Sequence, residues 1–220
     1  YIDDTGRAIP VPSGKYDPAL GGVTFTVNHF SQYGVAFVKK TFSDLADVGW
    51  ARKAIEVLAS KGIIDGVSPS AFAPENRITR ADYTVLLVRT LGLDADTRGR
   101  FDDVKPEDYF YDAVGVAKAL GIADGTGNNR FDPDGEITRQ DMMVLTVRAL
   151  EVAGKFAGTS NAGAVLDHFA DKREVDGYAT DSIALLVEEK LIEGDGDRIR
   201  PLAAATRAEA AVLMYRIYNK

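Results

Sequence analysis

The sequence has no cysteine, one tryptophan, two histidines and three methionines among its 220 residues. Without cysteine, disulfide scaffolds and thiolate chemistry are excluded. The two histidines, His29 and His168, sit in NHF and DHF segments outside any repeated motif. They read as packing or surface residues, and neither a serine triad nor a zinc site is built on them. No apolar run reaches the ~18 residues of a membrane span, so no membrane partner is expected. No basic-then-apolar leader opens the chain. A chain that starts at Tyr1 instead of Met reads as an excised fragment or a processed product. Basic residues are outnumbered 26 to 33, for a net charge of −7 and a pI near 4.9. That balance argues against broad nucleic-acid binding, which needs a basic surface.

With 45% hydrophobic and 27% charged residues, the composition is that of an ordinary soluble globular protein. Its organisation lies in internal repeats. Phe42, Phe101 and Phe169 open FSDL, FDDV and FADK. Trp50, Tyr109 and Tyr178 follow in one register, then Gly66, Gly125 and Gly194, then ITRAD at 78–82, ITRQD at 137–141 and ATRAE at 205–209. Three units result, over 41–100, 101–168 and 169–220. The second includes a Gly-, Ala- and Ser-rich connector at 152–168.

Each unit reads as two helices. The first helices are expected near 50–61, 109–120 and 178–190, on the apolar period set by Trp50, Ala54, Ile55 and Leu58. Gly62 and Gly121 occupy left-handed C-cap positions. Repeat three has Lys190 there, so its helix is expected to end differently. The second helices start at Thr79, Thr138 and Thr206, good N-caps, with Asp82, Asp141 and Glu209 three residues on. Only the Thr206–Glu209 pair matches a full capping box. These helices are the more apolar and are expected to be the buried ones. Residues 1–40 differ: VTFTV and YGVAFV read as two strands, after a turn-like GKYDPALGG. They are expected to be the tail of an upstream β domain or a hairpin docked on the helices.

The caps do not explain Arg80, Arg139 and Arg207 at the first helical position, where a cation opposes the helix dipole by about 0.3–1 kcal/mol. Two readings stand. In one, the arginines are struts that pair with acids of a neighbouring repeat, such as Asp44, Asp103 or Asp171. In the other, each is an anion site: a helix N-terminus offers free N–H groups, and a guanidinium fork beside it matches a carboxylate or phosphate. Three such sites suit a polymer with repeated anionic groups.

The ordered motifs Phe-x-Asp, aromatic-led helix, Gly-Ile-Ile-x-Gly, Phe-x-Pro and Ile-Thr-Arg-Ala-Asp/Glu resemble the S-layer homology (SLH) domain, over about 41–220. Repeat three departs, with RIRPLAAATR in place of Phe-x-Pro. The resemblance implies a mainly α fold: three helix-pair repeats in a pseudo-threefold spindle, here with a short N-terminal β segment. It implies a non-enzymatic, extracellular module, monomeric within a larger surface protein. Such a module holds that protein to the cell wall by binding secondary cell wall polysaccharide, through a pyruvylated N-acetylmannosamine, in grooves between repeats. No cofactor is implied. Carried across, Arg80, Arg139 and Arg207 bind the ligand carboxylate. Asp44, Asp103 and Asp171 either accept sugar hydroxyls or cap the following turn. Trp50 either packs on a sugar face or anchors the first helix in the core. Gly66 and Gly125 either let the ligand approach the backbone or serve a turn that needs positive φ.

An alternative is a structural module that self-assembles in a surface lattice. A glycosidase reading needs two carboxylates at a set separation, one with a raised pKa, and no pair among the 33 acids stands out. DGTGNNRFDPDGE resembles a calcium loop in composition but lacks the ligand spacing.

Overall fold

A computed structural model describes residues 1–27, 29–97, 99–156 and 162–220. Part of the expected connector, 157–161, lies outside these residues. The described elements are mainly helical: a two-stranded antiparallel hairpin, seven α-helices and one 3-10 turn. They form two compact units, Tyr1–Pro74 and Glu75–Lys220.

In the first unit, β1 (Lys15–Asp17) pairs with β2 (Gly22–Thr24). The hairpin differs from expectation. Part of the segment taken for a turn is itself a strand, and the YGVAFV segment joins no ladder. The physical reason is local. The Asp17 carboxylate accepts the Ala19 amide at 2.8 Å, and Gly21 takes a φ of +61°, so the chain reverses immediately after Asp17. Val35 and Phe37 stay exposed. Helix α1 (Gly49–Ser60) buries Ala51, Ala54, Ile55 and Leu58. Trp50 is 60% exposed, so the apolar stripe turns one residue away from it and Trp50 is no core anchor. The tail meets the C-terminal end of this helix: the Ser60 hydroxyl accepts the Lys40 amide at 2.9 Å.

The second unit holds α2 (Arg80–Leu91), α3 (Tyr111–Ala119), α4 (Arg139–Val152), α5 (Ala162–Leu166), α6 (Thr180–Glu188) and α7 (Arg207–Asn219). Helix α2 packs on α3, α4 and α7, and α4 packs on α6. As expected, α2, α4 and α7 carry much of the core; α4 alone buries ten of its 14 residues. One polar link crosses that core, between the Tyr83 hydroxyl and Thr146 Oγ1 at 2.5 Å. Thr146 gives its own proton to the Met142 carbonyl at 2.7 Å, so Tyr83 is the donor. Burial holds its phenol far above the usual range.

Helix starts follow the sequence. Thr79, Thr138 and Thr206 each accept the amide three residues on, and only Thr206–Glu209 closes a capping box. One expected difference does not occur. Lys190 adopts φ +56°, like Gly62 and Gly121 at +70°. Leu191 donates to the Leu186 carbonyl just as Ile63 donates to Leu58 and Ile122 to Ala117. The wrap-back bonds and burial of the following Leu191 outweigh the left-handed cost, so all three first helices end alike.

The repeats are joined by backbone. Just before α2, α4 and α7 the chain is extended, and three amides close a ring. Ile78 donates to the Ala205 carbonyl (3.0 Å), Ala205 to Ile137 (2.9 Å) and Ile137 to Ile78 (3.2 Å). All three residues are buried, where an unmade backbone bond costs about 1–3 kcal/mol. This cyclic closure fixes the pseudo-threefold arrangement of the three Thr-Arg motifs.

Candidate functional site

The ring sets each Thr-Arg motif against a loop of the next repeat. The amides of Arg80, Arg139 and Arg207 donate to the carbonyls of Gly135, Ala203 and Asn76, each at 2.9 Å. The next amides, of Ala81 and Gln140, donate to Pro133 (3.1 Å) and Pro201 (2.9 Å). The third goes to the capping threonine. The starts of α2 and α4 therefore have no free amide in their first three positions, contrary to expectation. Any anion recognition there falls to side chains and the helix dipole.

The arginine side chains are bound in a common way. Arg80 Nε donates to the Phe131 carbonyl at 2.9 Å, and Arg139 Nε donates to the equivalent Ile199 carbonyl at 2.9 Å. Each guanidinium thus spans to the loop of the next repeat. Beyond that they diverge. Arg139 is buried and its terminal nitrogen pairs with Glu209 at 2.7 Å, the strut reading with a partner the sequence did not single out. Arg80 is half-buried, with its guanidinium carbon 5.1 Å from the Phe131 ring centre. Among the described residues no carboxylate pairs with it. Arg207 is half-buried like Arg80.

Asp44, Asp103 and Asp171 fasten those same loops. Asp44 accepts the amides of Phe72 and Ala73 at 3.0 and 2.7 Å. Asp103 accepts Phe131 and Asp132 at 2.8 and 2.9 Å. Asp171, itself buried, accepts Ile199 and Arg200 at 3.0 and 2.8 Å. The second amide in each pair belongs to a left-handed non-glycine residue: Ala73, Asp132 or Arg200. Both oxygens of each carboxylate are engaged by backbone. The aspartates therefore fasten the loop. Phe131 is gripped twice, at its amide by Asp103 and at its carbonyl by Arg80.

Gly66 and Gly125 have a steric reason in common. A Cβ on Gly66 would lie 2.5 Å from the Phe42 ring and from the Ala71 carbonyl. On Gly125 it would lie 2.7 Å from Phe101 and 2.4 Å from the Arg130 carbonyl. Each lets its loop close over the phenylalanine that opens the repeat. Only Gly125 also has positive φ.

The aromatic register is open. Trp50, Tyr109 and Tyr178 are 60, 68 and 58% exposed. Only Trp50 was singled out from sequence; the two tyrosines at the same position in the repeat were the available signal. Tyr109 donates to Asp82 at 2.5 Å and Tyr178 to Asp141 at 2.7 Å, each reaching from one repeat to the preceding Thr-Arg motif. Desolvation of the hydroxyl, then the aspartate bond and nearby negative charge, hold both phenols well above their usual value. They remain neutral donors with an exposed ring face. Gln140, absent from the sequence reading, is buried and bonds Asp176 through both ends of its amide, at 2.7 and 3.2 Å.

The S-layer homology domain model matches residues 41–84, 100–143 and 168–211, more than half of the chain. Among similar proteins, an amylopullulanase of Thermoanaerobacterium thermosulfurigenes is 34% identical over 222 residues, which is all of this chain but 12% of that protein. Exoglucanase XynX of Acetivibrio thermocellus is 33% identical over 85% of the chain and 17% of its own length. S-layer protein sap of Bacillus anthracis is 32% identical over 80% of the chain and 21% of its own length. The chain thus spans less than a quarter of each of these relatives. Three tandem matches on the three repeats, together with the surface-layer relatives, show that this chain belongs to the S-layer homology family, a cell-surface module of the bacterial cell wall and surface layer.

Proposed function

We propose that this chain holds an exported protein to the bacterial cell wall by binding secondary cell wall polysaccharide, through an anionic, pyruvylated amino sugar, at the junctions between repeats. The observation that carries the reading is the Arg80 guanidinium. Its Nε bond to Phe131 orients the plane, and no carboxylate of the described residues takes up its terminal nitrogens. A fork held this way suits a carboxylate with two parallel charge-assisted bonds, and the positive end of α2 favours negative charge at the same place. Tyr109, which reaches from repeat two to Asp82 beside this arginine, supplies an exposed aromatic face for a sugar ring. Arg207 stands at the equivalent position of repeat three.

The module itself is read as non-catalytic. Relatives that carry it include glycan-cleaving enzymes and surface-layer proteins, so the part they share is not the reaction of any one of them. Titration calorimetry with intact and depyruvylated polymer tests the reading. Binding that disappears with the ketal supports it. Equal binding to both polymers sinks the carboxylate clamp.

A further inference from the structure

Two repeat junctions lie wholly within Glu75–Lys220: one headed by Arg80 against repeat two, the other headed by Arg139 against repeat three. Both arginines use Nε in the same way, yet their surroundings differ at two positions in the sequence. The first is the third residue of the helix that follows in the next repeat. For Arg139 this is Glu209, whose Oε2 accepts the Thr206 amide at 2.8 Å while Oε1 holds the Arg139 fork at 2.7 Å. For Arg80 the counterpart is Asp141, one methylene shorter. Its oxygens are taken by the Thr138 hydroxyl at 2.8 Å and the Tyr178 hydroxyl at 2.7 Å, and it does not pair with Arg80. The second difference is the residue after the arginine. Gln140 ties the second junction to Asp176; Ala81 in the first has no side chain to do so.

We infer that these two junctions are not equivalent sites: Glu209 acts as an internal carboxylate that occupies the Arg139 fork, leaving the Arg80 junction as the one of the two that takes an anionic sugar. This rests on the proposed reading that the ligand is a carboxylate-bearing sugar. Glu209 is then a specificity-determining residue, because it stands where the ligand carboxylate would bind. Glutamate reaches the arginine and aspartate at the same helix position does not, so one methylene decides whether a junction is occupied from within.

The test is calorimetric stoichiometry, with the pyruvate ketal of N-acetylmannosamine as a monovalent probe and the unpyruvylated sugar as control. Circular dichroism and thermal unfolding verify the fold of each variant. Arg80→Gln is expected to remove one site per chain. Glu209→Asp, which keeps a helix-capping carboxylate as Asp141 does, is expected to add one. Arg139→Gln is expected to leave the site number of the wild type unchanged. A wild type that binds the ketal while Arg80→Gln keeps every site overturns the inference and leaves the carboxylate reading standing. Glu209→Asp adding no site overturns it equally. A wild type that ignores the ketal brings down the carboxylate reading and this inference with it. A change in melting temperature alone, which a purely structural role of Glu209 would produce, does not alter site number.

Discussion

Asp103→Asn turns one of the two acceptors that fasten the repeat-two loop into an amide nitrogen. The native carboxylate accepts the Phe131 and Asp132 amides at 2.8 and 2.9 Å, and its side chain is only 9% exposed. Asparagine keeps one acceptor and sets its NH2 against the other backbone N–H, so one charge-assisted bond is lost and a half-buried donor is left unmet. Together these cost about 2–3 kcal/mol, which for a chain of this size lowers the melting temperature by roughly 5–10 °C. The difference has a defined pH dependence. Burial alone would raise the Asp103 carboxyl, but the Phe131 and Asp132 amides and the Arg130 guanidinium outweigh it and the net direction is down. A carboxyl lowered on folding stabilises at every pH above its unfolded value of about 3.9 and stops doing so as the pH falls through the folded value. Thermal unfolding of both proteins between pH 3 and 8 measures this. The gap is expected to be constant from neutrality to about pH 5 and to narrow below pH 4. Equal melting temperatures at pH 7, or a gap that widens in acid, would refute the fastening role.

Lys190→Gly is expected to stabilise the chain. It relieves a left-handed residue at φ +56°, a gain of about 1–2 kcal/mol partly offset by the greater freedom of unfolded glycine, and denaturant titration reads the difference. In the core, Thr146→Val is expected to cost more than Tyr83→Phe. The first orphans a buried phenol donor, at about 1–3 kcal/mol, and the second removes that donor altogether; chemical unfolding of the pair gives the order. Gly125→Ala is expected to destabilise strongly, since both the +82° backbone and contact with Phe101 oppose a Cβ, whereas Gly121→Ala meets only the backbone cost.

The local features were legible in the sequence because adjacent residues determine them. Thr79, Thr138 and Thr206 cap their helices, and Glu209 alone completes a box. What escaped was non-local. Nothing within the Ile-Thr-Arg motif shows that Ile78, Ile137 and Ala205 close a backbone ring across three repeats, or that the ring brings loop carbonyls onto the very helix amides expected to be free. The aspartates were singled out but their hold on the loops was not, although each sits 28 residues before the amide it holds, a constant offset that a repeat alignment carries. Glu209 was recognised for its cap, and its second reach to Arg139 depends on a side-chain length that matters only after folding. Trp50 was assigned to an apolar stripe by spacing alone, and the neighbouring Ala51 takes that place instead.

The most direct test of the account is sedimentation of this chain with purified cell walls, before and after hydrofluoric acid strips their secondary polymer. The account predicts that the chain pellets with intact walls and stays in solution with stripped ones. Equal pelleting with both would place the binding on peptidoglycan, and pelleting without walls would place it on other copies of the chain. Either result would contradict polymer anchoring.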